Sequence, residues 1–287
     1  MVEVPARSSG HALLRADVLR DVVLGGAAAP AGVGGVGGLW SSIEVVASTG
    51  STNADLLACG GAEGQVLVAE GQTAGRGRMG RSWTSVPGAS LTFSVLLRPS
   101  SVPPARRGWL PLLTGVAVAS ALRSAVAVPA MLKWPNDVLV GGRKLAGILA
   151  EQSPDGSTVV VGVGLNVATP EDALPASPSG LPATSLLVEG ADIDREPLLI
   201  EVLRQLERCY LAFLSDSDPV RSGLLAEYRS LCGTLGRAVR VELPVGRVLT
   251  GVAEDIDPGG RLLVRVVHAD EATSVTAVSA GDVIHLR

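Results

Sequence analysis

Residues 75–81, GRGRMGR, set Arg76, Arg78 and Arg81 among Gly75, Gly77 and Gly80 in a chain whose net charge is −4. Guanidinium forks meet phosphate or carboxylate oxygens in pairs, and glycine lets a backbone close around what they hold. The stretch therefore points to a small anionic ligand. Its glycines also spell G-x-G-x-x-G, but a dinucleotide fingerprint needs a strand before it, a helix after it and an acidic residue about 20 positions on. VLVAE supplies the strand; RSWTSVPG has no helical period, and no Asp or Glu lies between Glu70 and Asp137. The dinucleotide reading fails, and no G-x-x-x-x-G-K-[ST] loop occurs anywhere. The same acid-free stretch also holds Arg98, Arg106, Arg107, Arg123 and Lys133, positive charge without compensating carboxylates.

A second cluster, LKWPNDVLVGGRKLAGILAEQ, places Lys133 and Lys144 in otherwise apolar strand patterns, with Asn136 and Asp137 directly after a proline. A charge facing a core is costly unless it meets a partner. Taken singly, Asn136-Asp137 reads as a turn and Lys144 as a solvated strand end; taken together, they read as a site.

The elements that must position these groups follow from periodicity. Residues 12–24 have a helical stripe, and GGAAAPAGVGGVGG (25–38) reads as a linker. IEVVAS, GQVLVAE and SLTFSVLLRP read as strands. STNADLLACG reads as a helix start, Thr52 and Asp55 imitating a capping box. WLPLLTGVAVASALRSAV is a long apolar-faced helix. AMLKWPNDVLV, RKLAGILAEQ and TVVVGVGLNV read as three successive strands, the second joint being GGRK, and a further helix is expected near 195–214. After Gly233 short alternating β-branched segments with turns such as DPGG indicate a small all-β barrel. The expected organisation is an N-terminal helix and linker (1–39), a mixed α/β region (40–232) and a terminal barrel (233–287).

Composition sets the outer limits. Hydrophobic residues make up 47% of the chain and aromatics 3%, so the core must rest on Val, Leu, Ile and Ala. A balance of 24 basic against 28 acidic residues argues against a general polyanion binder. Cys59, Cys209 and Cys232 are odd in number and widely spaced, which fits a reducing cytoplasm and neither a disulfide framework nor a zinc site. No signal peptide or membrane span is expected. His11, His268 and His285 lie far along the chain from both clusters and receive no role.

The arginine loop, KWPND, RKLAGILAE and GVGLNV together closely resemble the biotin protein ligases, from about Trp40 to the C-terminus. The resemblance implies an α+β fold: a mixed sheet with helices of the class II aminoacyl-tRNA synthetase-like kind, followed by an SH3-like β-barrel. It also implies an activity, ATP-dependent formation of biotinyl-5′-AMP and transfer of biotin to a lysine of a biotin carboxyl carrier domain, in acyl-CoA carboxylases or pyruvate carboxylase. ATP and Mg²⁺ would be needed, the metal held mainly by the triphosphate with no protein ligand set.

Carried onto this sequence, the resemblance puts Ser51, Thr52, Asn53 and Gln72 around biotin, Thr52 near its ureido ring. Arg76, Gly77 and Arg78 would fold over biotin and the phosphates once the loop has ordered. Lys144 would reach the biotin carboxylate and the α-phosphate, with Gly147 leaving room. Trp83 would stack on adenine, and Arg81, Lys133, Asn136, Asp137 and Asn166 would line the nucleotide end. Lys144, Arg78 and Arg76 would carry the catalytic charge, and Asp137 is a candidate base for the second step. Gly164 reads as packing. Some family members carry an N-terminal winged helix and act as repressors; the short, glycine-rich segment before Trp40 leads us to expect no operator binding. The nearest rival, a lipoate- or octanoate-attaching enzyme, would be expected to lack GRGRxGR and KWPND. A non-catalytic biotin- or nucleotide-binding module would not need Arg76, Arg78 and Lys144, and an RNA-binding barrel would need aromatics and basic residues that the terminal region lacks.

Overall fold

The computed structural model describes residues 13–25, 38–176, 180–191, 193–243, 246–267 and 272–286. The linker expected at 25–38 lies almost wholly outside them, as do His11 and His268. Helix α1 (Ala16–Val23) precedes a seven-stranded mixed sheet built from β1 (Ser42–Val46), β2 (Gln65–Ala69), β3 (Ser90–Leu97), β4 (Met131–Lys133), β5 (Asp137–Val140), β6 (Arg143–Gln152) and β7 (Val159–Asn166). The order is β1-β2-β3-β7-β6-β5-β4, and β1 and β2 are the parallel pair. Helix α2 (Thr52–Cys59) lies against β3 and β7, and α3 (Trp109–Val126) packs against strands of the sheet and against α4 (Arg195–Ser215). Long and apolar enough to cross a bilayer, α3 instead fills the core with Leu112, Leu113, Val116 and Leu122. Its end is fixed by Ala127 in the left-handed region (φ 55°) and by Pro129 just beyond, which cannot continue a helix. Helix α5 (Leu224–Leu231) completes the layer.

Two sequence expectations are corrected. AMLKWPNDVLV is not one strand: β4 and β5 pair antiparallel, Lys133 opposite Asp137, and WPN forms the reversal through a cis Trp134–Pro135 bond. The turn thereby folds Asp137 back beside Lys133, four residues earlier in sequence. The start of α2 is capped by Ser51, whose hydroxyl accepts from the Ala54 N–H at 3.5 Å; Thr52 is already helical, and Asp55 accepts from the Thr49 hydroxyl.

Strand alternation divides the sheet chemically. Along β7 the valines and leucine at 161, 163 and 165 enter the core, and along β3 Leu91, Phe93 and Val95 do the same. The intervening positions pair Thr92 with Gly164 and Ser94 with Gly162 on the opposite face, a floor of small polar residues and glycines.

Strands β8 (Ala238–Glu242), β9 (Val248–Ile256), β10 (Leu262–Val267), β11 (Thr273–Val278) and β12 (Asp282–His285) form an antiparallel sheet in the order β11-β10-β9-β8-β12. It has the composition of the expected barrel, but among the described residues β11 and β12 are not paired, so the barrel is not closed. Two buried indoles join it to the first sheet: Trp109 Nε1 donates to Pro258 O (2.9 Å) and Trp134 Nε1 to Gly260 O (3.0 Å). Both acceptors lie in the DPGG turn. Replacing Trp134 by phenylalanine removes both the indole N–H and part of a fully buried ring system, so the urea midpoint is expected to fall by an amount equivalent to about 2–3 kcal/mol.

Candidate active site

The glycine-arginine loop is a miniature hairpin. Trp83 N donates to Gly75 O (2.9 Å), Gly77 N donates to Arg81 O (2.7 Å), and the tip turns through Met79 and Gly80, both at positive φ (56° and 73°). Gly75 has a packing reason as well, since a Cβ there would lie 2.4 Å from Trp83 O. The three arginines leave in three directions. Arg76 Nη1 lies 3.2 Å from Glu151 Oε1 on β6, Arg78 Nη1 donates to Asn136 Oδ1 (3.0 Å) in the WPN turn, and Arg81 pairs with Asp282 on β12. Burial lowers the pKa of Arg78, partly countered by Asp137.

Behind the loop lies a cleft of about 950 Å³, lined by every site residue named from the sequence, from Ser51 to Asn166. Its inner end is a hydrogen-bond network. Gln72 Oε1 accepts from Thr52 N (2.8 Å) and faces the Thr52 hydroxyl at 3.1 Å, while Ser94 Oγ lies 2.7 Å from Thr52 Oγ1 and 2.6 Å from Asn53 Oδ1. Two hydroxyl protons serve three contacts there, so the network has acceptor capacity to spare for a ligand with N–H donors. Gly162 makes room for it, because a Cβ would sit 2.2 Å from Asn53 Oδ1.

The middle of the cleft carries the charge. Lys144 Nζ lies 2.6 Å from Asp137 Oδ1, and Lys133 Nζ lies 3.6 Å from Asp137 Oδ2. One carboxylate thus holds two ammonium groups, and burial lowers the pKa of Lys133. The Trp83 indole stands over the paired glycines Gly147 and Gly164, with Lys144 Nζ 5.8 Å from its ring centre. Gly164 is more than packing between strands: a Cβ there would lie 2.2 Å from the indole. Asn166 is buried and donates to Thr184 O (3.0 Å), next to residues 180–183, which wall the cleft.

Among the described residues no three His, Cys, Asp or Glu side chains converge as a metal site, and Asp137 is committed to two lysines.

Both halves of this arrangement have counterparts in known proteins. Residues 43–167 match the model of the biotin/lipoate A/B protein ligase family, and residues 234–286 match the biotin protein ligase C terminal domain. The biotin--[acetyl-CoA-carboxylase] ligase of Mycobacterium tuberculosis is 47% identical over 262 residues, covering 88% of this chain and 92% of that one. The chain belongs to the biotin protein ligase family. A biotin protein ligase of Aquifex aeolicus, solved in complex with biotin and ATP, superposes with a TM-score of 0.71 at 28% identity, covering 85% of this chain and 99% of that one. The Escherichia coli bifunctional ligase/repressor is 33% identical over 77% of this chain and 68% of its own length.

Within this biotin protein ligase fold, the other cations of the acid-free stretch serve structure instead. Arg98 donates to Gly61 O (2.7 Å), Arg107 to Gly156 O (2.5 Å) and Arg123 to Ala130 O (2.9 Å), and Arg106 faces Asp218 at 3.4 Å. Thr92, Ser94 and Glu151 were not singled out from sequence, nor were Arg237, Glu242 and Asp282 from the terminal sheet, yet all line the cleft or its rim. Polar residues at 90, 92 and 94 of an apolar strand were the available signal for the first two.

His285 is a correction. Far along the chain from KWPND, it is brought to the cleft wall by β12 and lies 3.0 Å from Thr234 Oγ1, which itself accepts from Trp134 N. The Thr234 proton is then free to go to Nε2, which requires a neutral ring. Burial, with Lys133 and Arg237 nearby, lowers the His285 pKa from 6.5 to about 4. A folded-state pKa below the unfolded one means that the unfolded chain takes up the proton first as pH falls. Stability from this residue is therefore full above pH 6.5 and is lost as pH falls towards about 4. Urea midpoints of His285→Gln are expected to fall less steeply than those of the wild type across that window.

Proposed function

We infer that this chain activates biotin with ATP to biotinyl-5′-AMP, releasing pyrophosphate, and then transfers biotin to a lysine of a carboxylase carrier domain. The observation that carries the reading is the cleft itself. A polar, proton-short inner end suited to a ureido group opens onto Lys144, Arg78 and Lys133, the charge that two repelling anions need.

In the first step a carboxylate oxygen of biotin attacks the α-phosphorus, and pyrophosphate leaves with the bonding electrons of the broken P–O bond. Lys144, between Asp137 and the Trp83 ring, is placed to neutralise both anions, and Arg78 to meet the growing phosphoryl charge. Donors fixed before the reaction lower its barrier because they need no reorganisation. Trp83 supplies the stacking face for adenine, and Asn166 and Lys133 line its phosphate and sugar end. The loop closes over the mixed anhydride and excludes water; its ordering on biotin binding belongs to the same proposal.

In the second step the acceptor ε-amine attacks the acyl carbon, AMP leaves, and the amine proton passes to phosphate or solvent. Asp137 is a poor candidate for that proton because both its oxygens face ammonium groups. Carrier domains of acetyl-CoA carboxylase are the first acceptors to test, with pyruvate carboxylase as the finer alternative, in the cytoplasm where ATP and the unmodified carboxylases meet. The reading gives the chain no operator DNA to bind and no membrane to enter.

Intact mass of a purified carrier domain, incubated with the protein, biotin and ATP, tests this directly. One biotinyl group on the acceptor lysine, dependent on ATP, is expected; a lipoyl group added instead from lipoate would move the chain to the rival activity.

A further inference from the structure

Glu151 has no place in the reaction as described, yet it stands where the inner pocket meets the loop. Its two carboxylate oxygens are divided: Oε2 accepts from Asn53 Nδ2 at 2.9 Å, and Oε1 faces Arg76 Nη1 at 3.2 Å. Asn53 is 3% exposed, and its other contacts, Ser94 Oγ and Leu149 O, hold its amide in one orientation. Followed outward, the contacts form one chain of side chains: Gln72, Thr52, Ser94, Asn53, Glu151, Arg76. Its first and last members are four residues apart, so the chain closes into a ring through the start of the loop hairpin.

We propose that Glu151 is a positioning residue that couples occupancy of the inner pocket to the placement of the Arg76 end of the loop. The physical basis is the division of its oxygens between a buried amide and a half-exposed guanidinium. A ligand that donates an N–H to Asn53 Oδ1 competes with the Ser94 hydroxyl for that amide, and Glu151, which accepts from the other end of the same amide, is the group through which the change reaches the loop. The naming of biotin as this ligand rests on the proposed function; the link between pocket and loop does not.

The two ends can be separated by substitution. In Glu151→Gln the side-chain carbonyl can still accept from Asn53, whereas the charge that holds Arg76 is gone. Glu151→Ala removes both. Limited trypsin digestion of the full chain, with fragments cut at Arg76, Arg78 and Arg81 identified by mass, reads the loop; calorimetric titration with biotin reads the pocket. An ion pair of this exposure holds its arginine by a factor of roughly three to five. Loop cleavage without ligand is therefore expected to accelerate about three- to fivefold in both variants, at unchanged melting temperature in Glu151→Gln; Glu151→Ala, which strands one N–H of the buried Asn53 amide, is expected to melt lower. Biotin should weaken about fivefold more in Glu151→Ala than in Glu151→Gln, as expected for loss of one neutral amide hydrogen bond. Biotin should protect the loop strongly in the wild type and weakly in either variant.

Wild-type cleavage rates in a folded Glu151→Gln, or equal biotin affinity in both variants, would overturn the proposal. If the wild type bound no biotin at all, the proposed ligand would fail, while the ligand-free cleavage rates would still decide whether Glu151 holds the loop.

Discussion

Lys144→Ala is expected to lower the single-turnover rate of biotinyl-AMP formation by roughly 10²–10³-fold, or about 3–4 kcal/mol, the usual loss for one well-placed charge donor in a water-excluded site. The ammonium lies 2.6 Å from Asp137 and 5.8 Å from the Trp83 ring centre, so it is held at the middle of the cleft by groups that do not themselves react. Removing it leaves the biotin carboxylate and the α-phosphate to approach with only Arg78 and the more distant Lys133 between them. The inner pocket does not depend on Lys144, so the rate should fall far more than biotin affinity. Quench-flow measurement of the acyl-adenylate, beside a calorimetric Kd for biotin, separates the two. Equal losses in both would make Lys144 a binding group and leave the barrier to other residues.

Gly164→Ala is expected to cost the nucleotide its stacking partner while leaving the protein folded. An added Cβ would lie 2.2 Å from Trp83 Cε2 and 2.4 Å from Nε1, closer than any relaxed contact allows, so the indole must leave its seat on the β6–β7 floor. Base–aromatic stacking contributes about 1–3 kcal/mol, which predicts a KM for ATP raised about 5- to 150-fold. The displaced indole loses its packing on that floor, which outweighs the smaller gain from restricting the unfolded chain, so the melting temperature should drop modestly while the protein stays folded. Tryptophan fluorescence reports the displacement, and Trp83→Phe should recover part of the affinity lost on full removal of the ring. A variant with unchanged KM and unchanged emission would mean that Trp83 does not use this seat.

These two residues show how differently parts of the site could be read from sequence. Lys144 was legible because an ammonium inside an apolar strand demands a partner, and the surrounding motifs supplied the family. Gly164 was not, because a glycine in a strand has several causes, and only the position of Trp83, about 80 residues earlier, selects one. The helices and strands followed their periods closely; KWPND did not, since alternation cannot show that a proline turn reverses the chain between Lys133 and Asp137. Arg98, Arg106, Arg107 and Arg123 looked like the loop arginines in composition, and only the fold shows that they serve backbone carbonyls and Asp218. His285, Asp282 and Glu151 come to the cleft through long-range pairing: β12 on β8 for the first two, β6 on β7 for the third. No local pattern encodes that.

Exchange of labelled pyrophosphate into ATP, with biotin, with lipoate and with no added acid, tests the central claim most directly. It reads the reversal of adenylation and needs no acceptor protein. Exchange that requires biotin and disappears in Lys144→Ala is the expected result. Exchange supported by lipoate instead would keep the fold and change the substrate, and no exchange with either acid would contradict the account.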